Sequence, residues 1–201
     1  MKLSKRITLA MALPFILIIT SIVGLVASGV LTYDQVQIWQ TPSYSAPCNL
    51  DPVLSCSSVI NSKQGHVFGI PAPFLGLVMF PALATLGVVL ASGVKLKRWL
   101  WYGLQITVSG GVVFALWLFW ISLYKVNALC PFCLVTDVAV YTMAWYVTLY
   151  NIEQGHILRN KRFMKLNDFS RKHHLDILIG LLLLIAAFTL HHFWYYYGRN
   201  F

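Results

Sequence analysis

Charge is scarce in this sequence. Only 10% of its 201 residues are charged and 58% are hydrophobic, against about 25% and about 45 to 50% in ordinary soluble domains. So few polar side chains cannot cover the surface of a water-soluble globule. Acids are scarcest, with six Asp and Glu against fifteen Lys and Arg and a net charge of +9. The composition therefore excludes an ordinary soluble domain and predicts a chain that lies mostly in lipid.

Five long apolar runs account for this composition. Each has the length of about 20 residues that a membrane-spanning helix needs. They lie at about residues 7–31, 70–93, 99–123, 131–150 and 177–197. We predict an all-α polytopic membrane protein with a single transmembrane domain over residues 1–201. A signal peptide is the alternative for the first run, but that run is longer than the h-region of about 7 to 15 residues, so we interpret it as an uncleaved anchor.

Lys and Arg are unevenly distributed between the segments that join these runs. Twelve lie on one side of the predicted membrane and three, Lys63, Lys125 and Arg199, on the other. Cytoplasmic segments retain positive charge, so the N-terminus is predicted in the cytoplasm and the C-terminus outside. The membrane topology explains the excess of Lys and Arg over Asp and Glu, and this excess therefore does not indicate nucleic-acid binding. The loop at about 33–68 then faces the outside, where disulfides form and persist.

Cysteine is rare as well, with four residues in two pairs. Such a count is too low for a disulfide scaffold and indicates redox chemistry or a metal. Cys130 and Cys133 form a C-x-x-C whose Pro131 favours the first position of a helix, so Cys130 is predicted as the N-cap. The helix start favours a thiolate there. The alternatives are two inert thiols, or a zinc site completed by Cys48 and Cys56, which the oxidising side disfavours. We predict no metal.

Cys48 and Cys56 lie in the long segment between the first two runs. A connection of this length is usually functional or disordered. A disulfide between the two would close a small ring and stabilise the loop by about 2 to 3 kcal/mol. The second interpretation is a shuttle, in which the loop takes electrons from a soluble dithiol and passes them to the C-x-x-C pair by thiol–disulfide exchange.

Asp137 is an ionisable residue inside the fourth apolar run. It follows Cys133 by four residues and Cys130 by seven, so a helix places it on their face. An acid at membrane depth is costly and indicates function, here as a proton or hydrogen-bond partner of a bound redox acceptor. A satisfied internal polar contact is the alternative. A small transporter or scaffold is a non-enzymatic alternative, although only Asp137 is ionisable deep in the predicted bundle.

The order of these motifs resembles the vitamin K epoxide reductase family, in particular its bacterial members. The resemblance covers roughly residues 31–150, with the loop pair first and the C-x-x-C at the start of a later span. It rests on Cys48, Cys56-Ser57-Ser58-Val59, Ser62, Phe68-Gly69-Ile70-Pro71, Gly76 and Cys130-Pro131-Phe132-Cys133. The DsbB-type quinone reductases carry their C-x-x-C ahead of the second pair and are similar in function only.

The resemblance implies a four-helix transmembrane bundle around a quinone, here with a fifth helix added. It implies that Cys133 reacts with the quinone, that Cys130 exchanges with Cys56, and that Cys48 is attacked by the partner dithiol. Many bacterial members continue into a thioredoxin-like domain that this chain lacks. The implied partner is therefore a separate extracytoplasmic thioredoxin-like (DsbA-type) protein, and the implied location is a bacterial inner membrane.

Four residues are predicted to lie at the quinone. Asp137 is predicted there by its helical spacing from the cysteines, and Ser62, Phe68 and Ala72 by their positions in the part of the chain that resembles the family. Vertebrate members carry a tyrosine at the position of Asp137, and their quinone-facing asparagine has no counterpart around Ala72. These departures favour a disulfide-forming thiol:quinone oxidoreductase over vitamin K epoxide reduction, which remains the alternative. The sequence does not distinguish ubiquinone, menaquinone and phylloquinone-type acceptors.

Overall fold

The computed structural model describes residues 2–41, 43–49, 51, 53–62, 65–67, 69–155 and 173–194, with only the backbone described at 2–8, 10 and 66–67. The helices in this part are α1 (Lys2–Gln40), α2 (Cys56–Ile60), α3 (Ala72–Ala91), α4 (Arg98–Ile121), α5 (Pro131–Glu153) and α6 (His174–His192). A π-helical turn, Ser122–Val126, continues α4. All except α2 are long and apolar enough to cross a membrane, which confirms the predicted all-α polytopic class.

The loop between α1 and α3 contains the only strands in the described residues. Strands β1 (His66–Val67) and β2 (Ile70–Pro71) form an antiparallel hairpin. Gly69 lies in its turn with a φ of +82°, a left-handed conformation that glycine adopts without steric cost. The hairpin leads directly into α3.

The first helix is longer than predicted at its C-terminal end. It continues to Gln40, whereas the apolar run ends at about residue 31. Tyr33 and Asp34 interrupt the apolar pattern, so hydropathy alone ends the span early. The tertiary structure explains the extension, because Asp34 and Gln35 are buried and Ile38 packs against the cluster that contains the loop cysteines. The irregular part of the loop therefore begins after Gln40.

Four helices enclose a common interior. α1 packs against both α3 and α5, and α5 packs against α4, so the four form a curved row around a cavity that all of them line. The end of the bundle away from the cysteine loop is filled by large apolar side chains, among them Leu13, Leu17, Met143 and Val147. The open half of the bundle is therefore the half that carries the cysteines.

The fifth spanning helix, α6, lies at the periphery. It packs on α5, and its C-terminal end reaches the π-helical turn, where His192 Nε2 lies 3.0 Å from the Leu123 carbonyl oxygen. Phe193 follows and is buried beside Val53 and Leu129. The end of α6 thus supports the segment just before Cys130. The predicted fifth run extends to 197, and its last residues lie outside the described part of the chain.

Candidate active site

The loop carries a disulfide between Cys48 and Cys56, with the two Cα atoms 5.7 Å apart. α2 begins at Cys56, and the Oγ of Ser55 caps it by accepting a hydrogen bond from the Ser58 N–H at 3.2 Å. Asn49 closes the ring from inside, because its Oδ1 accepts hydrogen bonds from the Ser55 hydroxyl and the Ser57 N–H, both at 3.1 Å. The ring is therefore held by polar contacts as well as by the disulfide.

A short backbone pairing fixes this ring beside the C-x-x-C motif. The Leu129 N–H donates to the Val53 carbonyl at 2.6 Å, and the Ser55 N–H donates to the Leu129 carbonyl at 2.9 Å. Ser55 and Leu129 immediately precede Cys56 and Cys130 in the sequence. As a result, the Sγ atoms of Cys56 and Cys130 lie 3.4 Å apart. Both residues are in the interior of the protein, since Cys56 is 0% exposed and Cys130 is 2% exposed.

Asn127 turns the chain toward this pairing. It ends the π-helical turn in the left-handed conformation, with a φ of 52°, which Asn tolerates better than most residues. The Ala128 N–H then donates to the Ser122 carbonyl. This change of direction brings Leu129 alongside the loop.

The C-x-x-C pair occupies the start of α5 as predicted. Cys130 is the N-cap, Pro131 is the first helical residue, and the Cys130 Sγ accepts a hydrogen bond from the Cys133 N–H at 3.3 Å. Both cysteines are free thiols. A backbone N–H directed at the Cys130 sulfur stabilises negative charge on it. A sulfur stabilised in this way is a good leaving group in thiol–disulfide exchange.

Below the sulfurs lies a cavity of about 470 Å³, within the range of about 300 to 1,000 Å³ of small-molecule sites. Cys130, Cys133, Asp137 and Ala72 all lie on its wall. Most of the wall is apolar. Its hydroxyl and carboxyl side chains are those of Ser28, Thr107, Ser122, Thr136 and Asp137. The structure therefore brings four of the sequence-predicted site residues to one cavity.

The other predicted site residues lie elsewhere. Cys48 and Cys56 are in the loop ring, outside the cavity lining. Ser62 follows α2, where its hydroxyl donates to the Val59 carbonyl at 2.7 Å and accepts from the Gly65 N–H at 3.0 Å. Phe68 lies outside the described residues. Quinone contacts by Ser62 and Phe68 remain predictions.

One acidic residue was missed by the sequence analysis. Asp34, near the C-terminal end of α1, is 1% exposed, and its Oδ1 accepts a hydrogen bond from the Tyr44 hydroxyl at 2.8 Å. This hydrogen bond is the main cause that raises the pKa of Tyr44 to about 12. The Oδ2 of Asp34 lies 3.8 Å from the Cys48 sulfur. Its position in the sequence could have identified it as a candidate, because Asp34 is the only acidic residue between 1 and 40.

The cysteine geometry does not resemble a metal centre. Cys48 and Cys56 are bonded to each other, so they are not available as zinc ligands in this state. Within the described residues, no three His, Cys, Asp or Glu side chains converge as they would around a metal ion. The site is best described as two cysteine pairs in series above an apolar cavity.

Comparison with known proteins agrees with this description. The profile of the vitamin K epoxide reductase family, a family of membrane oxidoreductases that act on disulfides and quinones, matches residues 15–148. The match includes all four cysteines, the loop and the cavity wall. No curated protein matched the chain. Since the family profile covers well over half of the sequence, the chain belongs to the vitamin K epoxide reductase family.

Proposed function

We propose that the protein is a thiol:quinone oxidoreductase that oxidises an extracytoplasmic dithiol protein and passes two electrons to a membrane quinone. One observation carries the proposal. The Cys56 sulfur, bonded to Cys48, lies 3.4 Å from the Cys130 sulfur, and Cys133 lies on the wall of the cavity. Two cysteine pairs in series are what a relay from a soluble dithiol to a membrane acceptor needs.

The relay begins at the loop. A thiolate of the partner attacks Cys48, the Cys48–Cys56 bond breaks, and its electron pair moves to the Cys56 sulfur. The partner's second thiolate then forms the partner disulfide and releases Cys48. The partner has lost two electrons, and the loop now holds two reduced sulfurs.

Electrons then pass to the inner pair. The Cys56 thiolate attacks Cys130 of an oxidised Cys130–Cys133 pair, so that a Cys56–Cys130 bond forms and Cys133 is released as a thiolate. Cys48 next attacks Cys56, which restores the loop disulfide and frees Cys130. The outcome is an oxidised loop above two free inner thiols, which is the state that the structure describes.

The cavity supports a quinone as the final acceptor. A bound quinone would take up two electrons and two protons. Cys133 presents its sulfur at the wall, and Asp137, one helical turn further on, lies on the same wall, where its carboxyl can hold a proton or a hydrogen bond. The apolar remainder of the wall suits a hydrophobic ring and excludes water. The methyl group of Ala72 offers no hydrogen bond, which favours plain quinone reduction over epoxide reduction.

Orientation and partner belong to the same proposal. The distribution of Lys and Arg favours a cytoplasmic N-terminus, which places the loop and both cysteine pairs at the extracytoplasmic face of a bacterial inner membrane. The partner is then a separate thioredoxin-like protein of the DsbA type. Disulfide exchange at Cys48 is the contact that such a partner needs.

The test is anaerobic quinone reduction by the purified protein in detergent. A reduced thioredoxin-like protein supplies electrons, and ubiquinone, menaquinone or phylloquinone analogues accept them. We expect one quinol for each partner disulfide, and we expect Cys133→Ala to abolish quinol formation. Partner oxidation without quinol, or equal rates in Cys133→Ala, would contradict the proposal. Vitamin K epoxide supplied in place of quinone tests the alternative activity, for which we expect no turnover.

A further inference from the structure

Asp34 is a buried carboxyl group in direct contact with the loop disulfide. It lies near the C-terminal end of α1, where its Oδ2 is 3.8 Å from the Cys48 sulfur and its Oδ1 accepts the Tyr44 hydroxyl hydrogen bond at 2.8 Å. Within the described residues these are its polar side-chain contacts, and neither is a cation. No lysine or arginine in the described part of the chain contacts this carboxyl group.

The two sulfurs of the loop thus have different surroundings. Cys48 faces the carboxyl group of Asp34, whereas Cys56 faces the Cys130 sulfur at 3.4 Å. Once the disulfide is reduced, a thiol at Cys48 can donate its proton to Oδ2, but a thiolate there meets a like charge. Repulsion by a nearby like charge disfavours the ionised form. Negative charge is accordingly more stable on Cys56.

We propose that Asp34 holds the proton of Cys48 in the reduced loop, so that the electrons delivered by the partner dithiol reside on Cys56, the sulfur that faces Cys130. The inference rests on the function proposed above, because it assigns a direction to that relay. In the forward step the Cys48–Cys56 bond breaks, its electron pair goes to Cys56, and Cys48, once released by the partner, binds a proton that Asp34 keeps in place. When Cys48 later attacks Cys56, the same carboxylate accepts that proton.

Tyr44 connects this pair to the surface of the loop. Its side chain is half-buried, while Asp34 is fully buried. The phenol donates to Oδ1, which keeps the carboxyl group in place and leaves Oδ2 directed at the sulfur. The other titratable groups near the ring, among the described residues, are Tyr33 on the same helix, the exposed Asp51 of the ring itself, and the sulfurs of Cys56 and Cys130.

The inference is tested by alkylating each cysteine of the reduced, full-length protein with iodoacetamide over a range of pH. Peptide mass spectrometry gives the rate at Cys48 and at Cys56 separately, and the midpoint pH of each rate reports the thiol-to-thiolate change. In the wild type we expect a higher midpoint at Cys48 than at Cys56. Asp34→Asn should lower the Cys48 midpoint by about one pH unit or more and change Cys56 less.

Two further variants separate charge from structure. Tyr44→Phe removes the hydrogen bond but keeps the carboxylate, so the Cys48 midpoint should stay at or above the wild-type value. Asp51→Asn removes an exposed carboxyl group of the same loop and should move neither midpoint. If Asp34→Asn does not reform the loop disulfide on oxidation, Asp34→Glu takes its place and should keep the Cys48 midpoint high.

The outcomes distinguish this inference from the proposed function. The inference would be overturned by an unchanged Cys48 midpoint in Asp34→Asn or by a low Cys48 midpoint in Asp34→Glu. An equal fall of the Cys48 midpoint in Tyr44→Phe would also overturn it, because that result would mean that the hydrogen bond, and not the carboxylate charge, sets the midpoint. The alkylation assay contains neither quinone nor partner. A shifted midpoint in a protein that fails to reduce quinone would therefore reject the proposed function alone.

Discussion

Gly76 lies where α3 crosses α1 beside the cavity, and we expect Gly76→Ala to force the two helices apart. A Cβ atom at this position would lie 2.9 Å from the Cβ of Ser28 and would overlap its Oγ. The hydroxyl group can rotate away. The Cβ of Ser28 cannot move without moving the backbone of α1. Because both residues line the cavity, the displacement would occur at the proposed quinone site.

The expected cost follows from this overlap. Overpacking costs about 1 to 3 kcal/mol, and an overlap with a Cβ that cannot rotate away lies in the upper part of this range. Replacing Gly by Ala in a helix returns about 1 kcal/mol. A net loss of about 1 to 2 kcal/mol lowers the Tm of a protein of this size by about 2 to 8 °C. Thermal unfolding of the purified protein in detergent micelles, followed by tryptophan fluorescence, measures the shift. The KM for quinone should rise in the same variant.

Three control variants test whether the overlap with Ser28 causes the loss of stability. Gly29→Ala, on α1, places its Cβ in open space with nothing within 4 Å, so its Tm should not fall. Ser28→Gly should rescue Gly76→Ala in a double-mutant cycle, whereas Ser28→Ala should not, because it keeps the Cβ. A Gly76→Ala protein as stable as the wild type would refute the reasoning.

Three more predictions follow from the site. Asp137→Asn should slow quinone reduction by a factor of about 10² to 10⁴ and change its pH profile while its melting temperature barely moves; unchanged kinetics would leave Asp137 a structural contact. After reduction, a membrane-impermeant thiol reagent should label Cys48 and Cys56 in intact cells, and labelling only after permeabilisation would reverse the topology. The pKa of Tyr44 is raised to about 12, mainly by its hydrogen bond to Asp34. This hydrogen bond therefore stabilises the fold below about pH 10, the ordinary tyrosine pKa, and the stabilisation is lost as the pH rises toward 12. Comparing the alkaline unfolding of the wild type with that of Tyr44→Phe measures this contribution.

Local features of the sequence were sufficient to predict the spanning helices. Apolar runs of about 20 residues have one stable solution in lipid, a helix that satisfies its own backbone, and the described residues contain five such helices. The start of α5 was equally accessible, because proline after a cysteine suits the first turn of a helix. Cys130 is the N-cap as expected.

Features that depend on tertiary contacts were not accessible in this way. The C-terminal end of α1 is polar in sequence, and its burial arises only when the loop folds over it, as the contact between Asp34 and Cys48 shows. The approach of Cys56 to Cys130 joins residues 74 positions apart. Family resemblance implied that approach, but no local pattern specifies it. The backbone pairing of Val53 with Leu129 that produces it has no periodic signal.

The central claim is that electrons pass between the two pairs through Cys56 and Cys130. The double variant Cys48→Ala/Cys133→Ala leaves these two as the only cysteines in the chain, with their sulfurs 3.4 Å apart in the wild-type structure. Mild oxidation of this variant should give one intramolecular Cys56–Cys130 disulfide, identified by peptide mass spectrometry. Two thiols that stay free, or disulfides formed only between chains, would contradict the relay.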